Sequence, residues 1–273
     1  MDIEEFISAR NKEKEWARMN GFNEGDPNKN GEFALVKILS EFSDVFIDIG
    51  SNNGIFIDEW NKHAKNEKSN IFVFEPNPYL QEILHKKIVR GKVFQIALSS
   101  QKGISDFNLY DSDNTTSSLL DRDDMMPHFT ANVRKIKIET DLLDNYLKLI
   151  ESNLDRAIFI KIDVEGLELE VIKGSAQVLS HLPNIFLMFE YSKAWHIGNY
   201  SLKETFHILD KLNFKIFRIT PLGIEELRFY SPEMDGPDYC NYFAVKGENP
   251  LQNNTQKLLP SITHNFNKLY LFS

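Results

Sequence analysis

One short segment combines an acidic residue with glycines in a spacing suited to binding a small molecule. The segment DIGSNNG runs from Asp48 to Gly54, directly after the apolar stretch VFIDI, and Gly50 and Gly54 frame its three central residues. Glycine in such a turn permits a positive φ and lets a ligand approach the backbone without meeting a Cβ atom. A purely structural turn would also explain two glycines, so a second feature is needed to decide between the two interpretations.

That feature is the acid at the end of the next apolar run. Glu75 closes IFVFE, 25 residues after Gly50, where an acidic side chain of a nucleoside-binding α/β protein accepts hydrogen bonds from both ribose hydroxyls. A pyrophosphate site would instead expect G-x-G-x-x-G, whereas this loop has G-x-x-x-G behind Asp48. A carboxylate there repels an anion and attracts an amino group. The pattern therefore favours S-adenosylmethionine, which carries an ammonium, a carboxylate and a sulfonium, over a dinucleotide.

The elements that must position these residues alternate along the chain. Short apolar runs bounded by turn residues are typical of strands buried on both faces, and they occur at residues 45–49, 71–75, 93–98, 157–163, 185–191, 214–219 and 241–245. Helix-like patterns lie between most of them, at residues 79–88, 167–179 and 202–212. This alternation predicts a parallel sheet covered by helices on both faces. Residues 104–138 break the rhythm with two shorter strand candidates around a polar, acidic loop.

Composition limits the size, class and partners of the protein. The chain has 273 residues, of which 42% are apolar, enough for one sizeable core. We expect an N-terminal helical arm at residues 1–32, one domain at 33–247 and a tail at 248–273. The net charge of -9 argues against nucleic acid as a partner, because phosphate-tracking surfaces carry a basic excess. With no apolar run of membrane-spanning length and a single cysteine, Cys240, we expect a cytoplasmic protein.

Six segments together carry a family resemblance. FIDIGSNNGIF, FVFEPNPYLQEIL, QIALSSQKG, TTSSLL, ETDLLDNYL and FIKIDVEGLELEVIKGSAQVL have the order and spacing of the FkbM family of S-adenosylmethionine-dependent methyltransferases. The resemblance covers roughly residues 30–245. It implies a class I methyltransferase fold, Rossmann-like, with a seven-stranded mostly parallel sheet, an antiparallel last strand and helices on both faces. It also implies O-methyl transfer, which such families perform on sugars in glycan or capsule pathways and on natural products such as polyketides.

The resemblance assigns residues to the parts of the cofactor. It puts Asp48, Gly50, Asn52 and Gly54 around the methionine moiety and Glu75 on the ribose, with Ser51 in the same loop, where the family often has alanine. Pro76 and Asn77 would shape the adenosine side, and Ala97 and Leu98 would border the adenine. The segment TTSSLL would lie beside the active site, where Ser117 and Ser118 could bind a sugar or the cofactor. These serines could equally cap a turn in a solvated loop.

The segment KIDVEG supplies the chemical end of the predicted pocket. Methyl transfer is an in-line displacement, for which an enzyme aligns the acceptor oxygen and removes its proton. Asp163 is the first candidate for this role, Glu190 is the next, and His196 is the third because imidazoles titrate near neutrality. Asp163 is also expected to bind the cofactor, because it follows the fourth strand, next to the first, and can reach the sulfonium side. His196 could also be an ordinary surface or packed histidine, and Glu165 an acid at a helix N-terminus. The sequence shows no ligand spacing that requires a metal, although Asp163, Glu165 and Glu190 would be suitable ligands.

Three functions remain open at this point. The leading hypothesis is an O-methyltransferase that acts on a sugar, either nucleotide-activated or linked to a glycan. The second is the same chemistry on a secondary metabolite, and the third is a cofactor-binding module without transfer activity. We expect the acceptor to bind among residues 110–129 and 190–200. A homo-oligomer is compatible with the sequence.

Overall fold

A computed structural model describes residues 3–64, 69–110, 117–120, 133–254, 256–260 and 266–272. The helices are α1 (Ile3–Met19), α2 (Glu32–Phe42), α3 (Ile55–His63), α4 (Gln81–Lys87), α5 (Leu147–Glu151), α6 (Glu168–Lys173), α7 (Ala176–His181) and α8 (Leu202–Lys211). The strands are β1 (Val45–Ile49), β2 (Asn70–Phe74), β3 (Gly91–Phe94), β4 (Ala97–Leu98), β5 (Gly103–Tyr110), β6 (Val133–Asp141), β7 (Ile158–Ile162), β8 (Ile185–Ser192), β9 (Lys215–Thr220), β10 (Gly223–Leu227), β11 (Tyr239–Lys246), β12 (Gln256–Pro260) and β13 (Phe266–Leu271).

The predicted α/β architecture is confirmed, but the main sheet is larger than expected. Its ten strands have the order β12-β13-β10-β9-β11-β8-β7-β1-β2-β3, so the expectation of a seven-stranded sheet is wrong in number. Strands β3, β2, β1, β7 and β8 run parallel, and β11 is antiparallel to both of its neighbours. The additional strands are β10, β13 and β12, which pair antiparallel beyond β9. Their apolar residues are scattered among polar ones, and so they give only a weak strand signal.

A second sheet interrupts the alternation where the sequence rhythm breaks. It has three strands in the order β4-β6-β5, and β5 and β6 form an antiparallel hairpin pair. The predicted strand at residues 93–98 is therefore two strands, because β3 closes the main sheet at one edge while β4 pairs with β6. Residues 111–116 and 121–132, in the acidic loop expected to hold the acceptor, lie outside the described residues.

The core consists of two apolar layers, one on each face of the main sheet. Helices α2, α3 and α4 cover one face, where Phe46, Trp60 and Phe159 stack with ring centroids 4.8 and 4.9 Å apart. Helices α5 to α8 cover the other. Every residue of β1 and β7 is buried, which explains why both read as continuous apolar runs. The two exceptions in these runs, Asp48 and Lys161, face each other across the strand pair.

The segment after α1 and the last strands both attach to the half of the main sheet that contains β11, β9 and β10. Phe22 pairs with Cys240, and the Arg218 guanidinium lies 4.6 Å from the centre of the Phe22 ring. Arg218 in turn donates a hydrogen bond to Glu225 at 2.5 Å, and the Asn267 side chain of β13 donates to the same carboxylate at 2.9 Å. In the described part of the chain, no helix is long and apolar enough to cross a membrane.

The aromatic stack predicts where the fold is most sensitive. We expect Phe159→Ala to lower the free energy of unfolding by about 3–5 kcal/mol, because it leaves a cavity beside Phe46 and Trp60. Urea unfolding followed by circular dichroism measures this change. Ile104→Ala is the control, since Ile104 is 72% exposed on β5. Equal effects of the two substitutions would contradict the assignment of this stack to the core.

Candidate functional site

The strand register brings the predicted site residues into one row. Ile49 is the partner of both Phe74 and Ile162, and Ile162 is the partner of Phe189. The next residue of each strand therefore stands at the same level, and these residues are Gly50, Glu75, Asp163 and Glu190. From β1 the chain proceeds to β2 on one side, and β7 lies on the other. Ligands of open α/β sheets bind at such a reversal of strand order, beyond the carboxyl ends of the strands.

A pocket of about 610 Å³, including its open mouth, lies at this position. The predicted residues that line it are Gly50, Asn52, Glu75, Pro76, Ala97, Leu98, Ser117 and Asp163. Lining residues that the sequence analysis did not single out include the apolar side chains of Ile49, Phe74, Phe107, Leu119, Val164 and Leu167. Six predicted residues lie outside this lining, namely Asp48, Ser51, Gly54, Asn77, Glu190 and His196.

The loop after β1 needs its first glycine for steric reasons. Gly50 has φ 75°, and a Cβ atom there would lie 1.8 Å from the carbonyl oxygen of Asp163. Gly54 has φ 76° and precedes the first turn of α3, and Asn52 also has a positive φ, 52°. The backbone of this loop therefore passes against the end of β7, with no side chain between them at Gly50.

Backbone N–H groups fix the carboxylate of Glu75. Its Oε2 accepts a hydrogen bond from the Asn52 N–H at 2.8 Å, and its Oε1 accepts one from the Asn77 N–H at 2.9 Å. Burial raises the pKa of Glu75 to about 7, although these two N–H groups oppose the shift. Each oxygen keeps a lone pair for a further donor. The geometry therefore fits the predicted contact with two ribose hydroxyls.

Asp48 supports the loop from behind the pocket. The side chain is fully buried, and its Oδ2 accepts a hydrogen bond from the Ser51 hydroxyl at 2.6 Å. Its Oδ1 has no hydrogen-bond partner among the described residues, and the Lys161 ammonium lies 3.9 Å away. Burial raises the pKa of Asp48, while Lys161 and the Ser51 hydrogen bond act in the opposite direction. An unfilled acceptor beside the loop fits a ligand that brings an amino group.

The second sheet and residues 117–120 line the side of the pocket that the sequence predicts to hold the adenine. Phe107 and Leu119 contribute apolar surface to the lining, and the Ser117 hydroxyl is buried without a hydrogen-bond partner in the described structure. Ser118 is used differently, because its hydroxyl donates to the Glu165 carbonyl at 3.0 Å and accepts from the Leu120 N–H at 3.1 Å. Ser117 is therefore the serine of this pair that is available to a ligand. The hydrogen bonds of Ser118 connect this segment to the turn after Asp163.

A tight turn connects Asp163 to helix α6. Glu165 and Gly166 both have a positive φ, 60° and 111°. Because α6 begins at Glu168, the carboxylate at the start of the helix belongs to Glu168, which accepts hydrogen bonds from the N–H groups of Val164 and Gly166 at 2.9 and 3.1 Å. Burial raises the pKa of Glu168 to about 7. Glu165, which the sequence suggested for this position, lies in the turn before the helix, and the E-G-x-E spacing is the pattern that indicates Glu168.

Two further carboxylates lie near Asp163, those of Glu190 and Glu32. Glu190 lies within β8 opposite Asn241, and no hydrogen bond or ion pair involves its carboxylate in the described part of the chain. Burial and the neighbouring carboxylates of Asp163 and Glu165 raise the pKa of Glu190 well above its usual value. Glu32, which the sequence analysis left in a polar loop, begins α2 and accepts a hydrogen bond from the Asn30 amide at 2.6 Å. Burial raises its pKa to about 7.

His196 lies apart from this group. It ends a short 3-10 helix after β8, its side chain is exposed, and its Nε2 is 3.3 Å from the Tyr191 hydroxyl. The structure thus brings Asp163 to the pocket and leaves His196 outside its lining. Among the described residues, no three or more His, Cys, Asp or Glu side chains are grouped so that they could hold a metal ion.

The chain is similar in sequence to known methyltransferases. Residues 48–216 match the sequence model of the family described as the Methyltransferase FkbM domain. The chain is 27% identical over 205 residues to the 2-O-methyltransferase NoeI of Sinorhizobium fredii, covering 70% of this chain and 80% of that protein. It is 29% identical over 157 residues to the hexuronic acid methyltransferase AglP of Haloferax volcanii, covering 55% of this chain and 58% of that protein.

Solved structures also match at lower identity. An FkbM methyltransferase from Methylobacillus flagellatus is 21% identical, with a TM-score of 0.41, and the match covers 74% of this chain and 43% of that one. An O-methyltransferase from Bacillus cereus in complex with SAH is 11% identical, with a TM-score of 0.38, covering 90% of this chain and 92% of that one.

The fixed carboxylate of Glu75 leads to a prediction about cofactor affinity. The affinity for S-adenosylhomocysteine should fall as the pH drops through about 7, because protonation of Glu75 removes an acceptor for the ribose hydroxyls. We expect Glu75→Gln to bind about tenfold to hundredfold more weakly and to lose this part of the pH dependence. Isothermal titration calorimetry between pH 6 and pH 8 measures both effects. Glu82→Gln, an exposed acid on α4, is the control, and a Glu75→Gln curve that matches it would refute the assignment.

Proposed function

Because the chain belongs to the FkbM domain family and is an S-adenosylmethionine-dependent methyltransferase, we propose that its acceptor is a hydroxyl of a sugar. In this proposal the sugar is nucleotide-activated or linked to a glycan or capsule polysaccharide. The names of the two relatives support it, since one is a 2-O-methyltransferase and the other a hexuronic acid methyltransferase. Both identities are below 30%, so the particular sugar is not carried over from either protein.

The observation that carries the proposal is the position of Asp163 in the pocket lining, with Glu190 at the same level of the neighbouring strand β8. The Asp163 side chain is 36% exposed, and among the described residues its one partner is the Lys161 ammonium, 3.1 Å from Oδ2. Its other oxygen is available to a hydroxyl group. Neighbouring carboxyl groups that can each bind a different hydroxyl suit a sugar, which presents several hydroxyls on adjacent carbons.

In the proposed mechanism, these side chains orient the acceptor. Bound S-adenosylmethionine supplies an electrophilic methyl group. Asp163 accepts a hydrogen bond from the acceptor hydroxyl, directs the oxygen lone pair along the line of displacement and takes the proton. The raised pKa of Glu190 favours its neutral form, which can donate a hydrogen bond to another sugar oxygen. On the donor side, Asp48 attracts the amino group, Glu75 binds the ribose, and Ser117 binds the adenosine end.

A screen of acceptors tests the proposed substrate class. We expect the wild-type protein with labelled S-adenosylmethionine to add one methyl group to at least one member of a panel of nucleotide sugars and glycan fragments. Mass spectrometry detects the product. The panel includes hexuronic acids and, as non-sugar acceptors, hydroxylated polyketides. Methylation of the polyketides alone would contradict the proposal and favour the secondary-metabolite alternative.

Substitution of the proposed base tests the mechanism. Asp163→Asn keeps the size of the side chain but cannot take the proton, so we expect kcat to fall by about a hundredfold to ten-thousandfold. The affinity for S-adenosylhomocysteine should change little, which calorimetry can check. His196→Ala provides the comparison, because the imidazole lies outside the pocket lining. If Asp163→Asn retains full turnover while His196→Ala loses it, the roles given to these residues are wrong.

A further inference from the structure

Lys161 is a buried cation at the junction of the donor and acceptor sides of the site. Its side chain is almost fully buried, with the residue 3% exposed. The ammonium lies 3.1 Å from Oδ2 of Asp163 and 3.9 Å from Oδ1 of Asp48, and it stands 4.3 Å above the centre of the Phe56 ring. It therefore contacts the end of β7, the end of β1 and the first turn of α3 at once.

The strand register explains this placement. Lys161 is the partner of Asp48 in the parallel pair of β7 and β1, so both side chains lie on the same face of the sheet. Asp163 follows two residues later and returns to that face. Helices α2 and α3 cover the same face, and Glu32 at the start of α2 adds a third nearby carboxylate. The Lys161 ammonium thus interacts electrostatically with carboxylates from three separate segments of the chain.

The charge of Lys161 persists despite its burial. Burial alone would lower the pKa of Lys161, but the carboxylates of Asp163, Asp48 and Glu32 outweigh this effect and raise it above the usual value. Buried ion pairs contribute little net stability compared with apolar residues of similar volume. Stability of the core is therefore a weak reason for a lysine in β7, whose other residues are all apolar.

We propose that Lys161 is a positioning residue for methyl transfer, whose ammonium holds Asp48 behind the donor loop and Asp163 at the acceptor end in a fixed relation. The inference rests on the proposed roles of these two aspartates. Without the ammonium, two carboxylates on neighbouring strands repel each other across a buried space. Asp163 then turns away from the acceptor hydroxyl, and the loop from Asp48 to Gly54 loses its support.

This role has an effect on pH dependence that a purely structural role lacks. The charged groups that face Asp48 are Lys161 and Asp163 on β7 and Glu75 after β2, and Glu32 on α2 faces Lys161. Burial raises the pKa of Asp48, and Lys161 is the cation that opposes this shift. Removing the cation raises the pKa of Asp48 further. Since the ionised form attracts the amino group of the ligand, the loss of affinity at acidic pH should then begin at a higher pH.

The test compares Lys161→Met, Lys161→Arg and Arg218→Met by titration with S-adenosylhomocysteine across pH 5 to 9. Arg218 is the matched control, because it is also 3% exposed and forms a buried ion pair, with Glu225, away from the pocket lining. We expect Lys161→Met to weaken binding by at least about tenfold and to move the acidic fall in affinity to higher pH. Arg218→Met should lower the melting temperature while its pH profile stays as in the wild type. Identical affinities and profiles for both methionine variants would overturn the inference.

Lys161→Arg keeps the test decisive if the methionine variant does not fold. The guanidinium preserves the charge but is longer and planar, so the pH profile of binding should match the wild type while kcat falls at least about tenfold. An unchanged kcat in this variant would show that the position of the ammonium is unimportant. The binding measurements need no acceptor. If the wild-type protein methylates no sugar but the Lys161 variants differ in binding as expected, the proposed function fails and this inference stands.

Discussion

The arrangement of the site depends on the contact between a buried ammonium and the carboxylates around it. Asp48 and Lys161 are the polar residues of two strands that are otherwise apolar and buried on both faces. A slip of one residue between β1 and β7 would turn Lys161 toward the opposite apolar layer and leave it without Asp48. The charge pair therefore favours one register, and that register places Gly50 and Asp163 next to each other at the carboxyl ends of β1 and β7.

The carboxylates on the two sides of the pocket are held by the protein to different degrees. On the donor side, both oxygens of Glu75 are held by backbone N–H groups, and the Asp48 carboxylate is fixed by Ser51. On the acceptor side, Glu190 has no partner in the described part of the chain, and Asp163 has one free oxygen. Such preorganisation of the donor side suits a cofactor that is the same in every turnover. In the proposed function, the acceptor side keeps its hydrogen-bonding capacity for a substrate with several hydroxyls.

Segments outside the alternating strands and helices complete this site. The start of α2 contributes Glu32, whose charge acts on the same ammonium as those of Asp48 and Asp163. The second sheet supplies Phe107 to the pocket and residues 117–120 supply Ser117, while Ser118 connects this segment to the turn after Asp163. Strands β10, β13 and β12 extend the sheet on the side away from the cofactor loop. The α/β sheet thus provides the row of strand ends, and the second sheet together with residues 117–120 adds lining to the pocket there.

The sequence by itself determined the features whose cause is local. Gly50 and Glu75 could be assigned because a positive φ and an acid at a strand end are chemical requirements of a few neighbouring residues, and the alternation of apolar runs predicted the α/β sheet. The sequence could not determine the ten-stranded sheet, the role of Glu168 at the start of α6, or the position of His196 outside the lining. It also gave no sign that Lys161, Asp48 and Glu32 share one buried space. Which residues meet there depends on strand order, register and helix packing, and these are set by contacts between segments that are far apart in the chain.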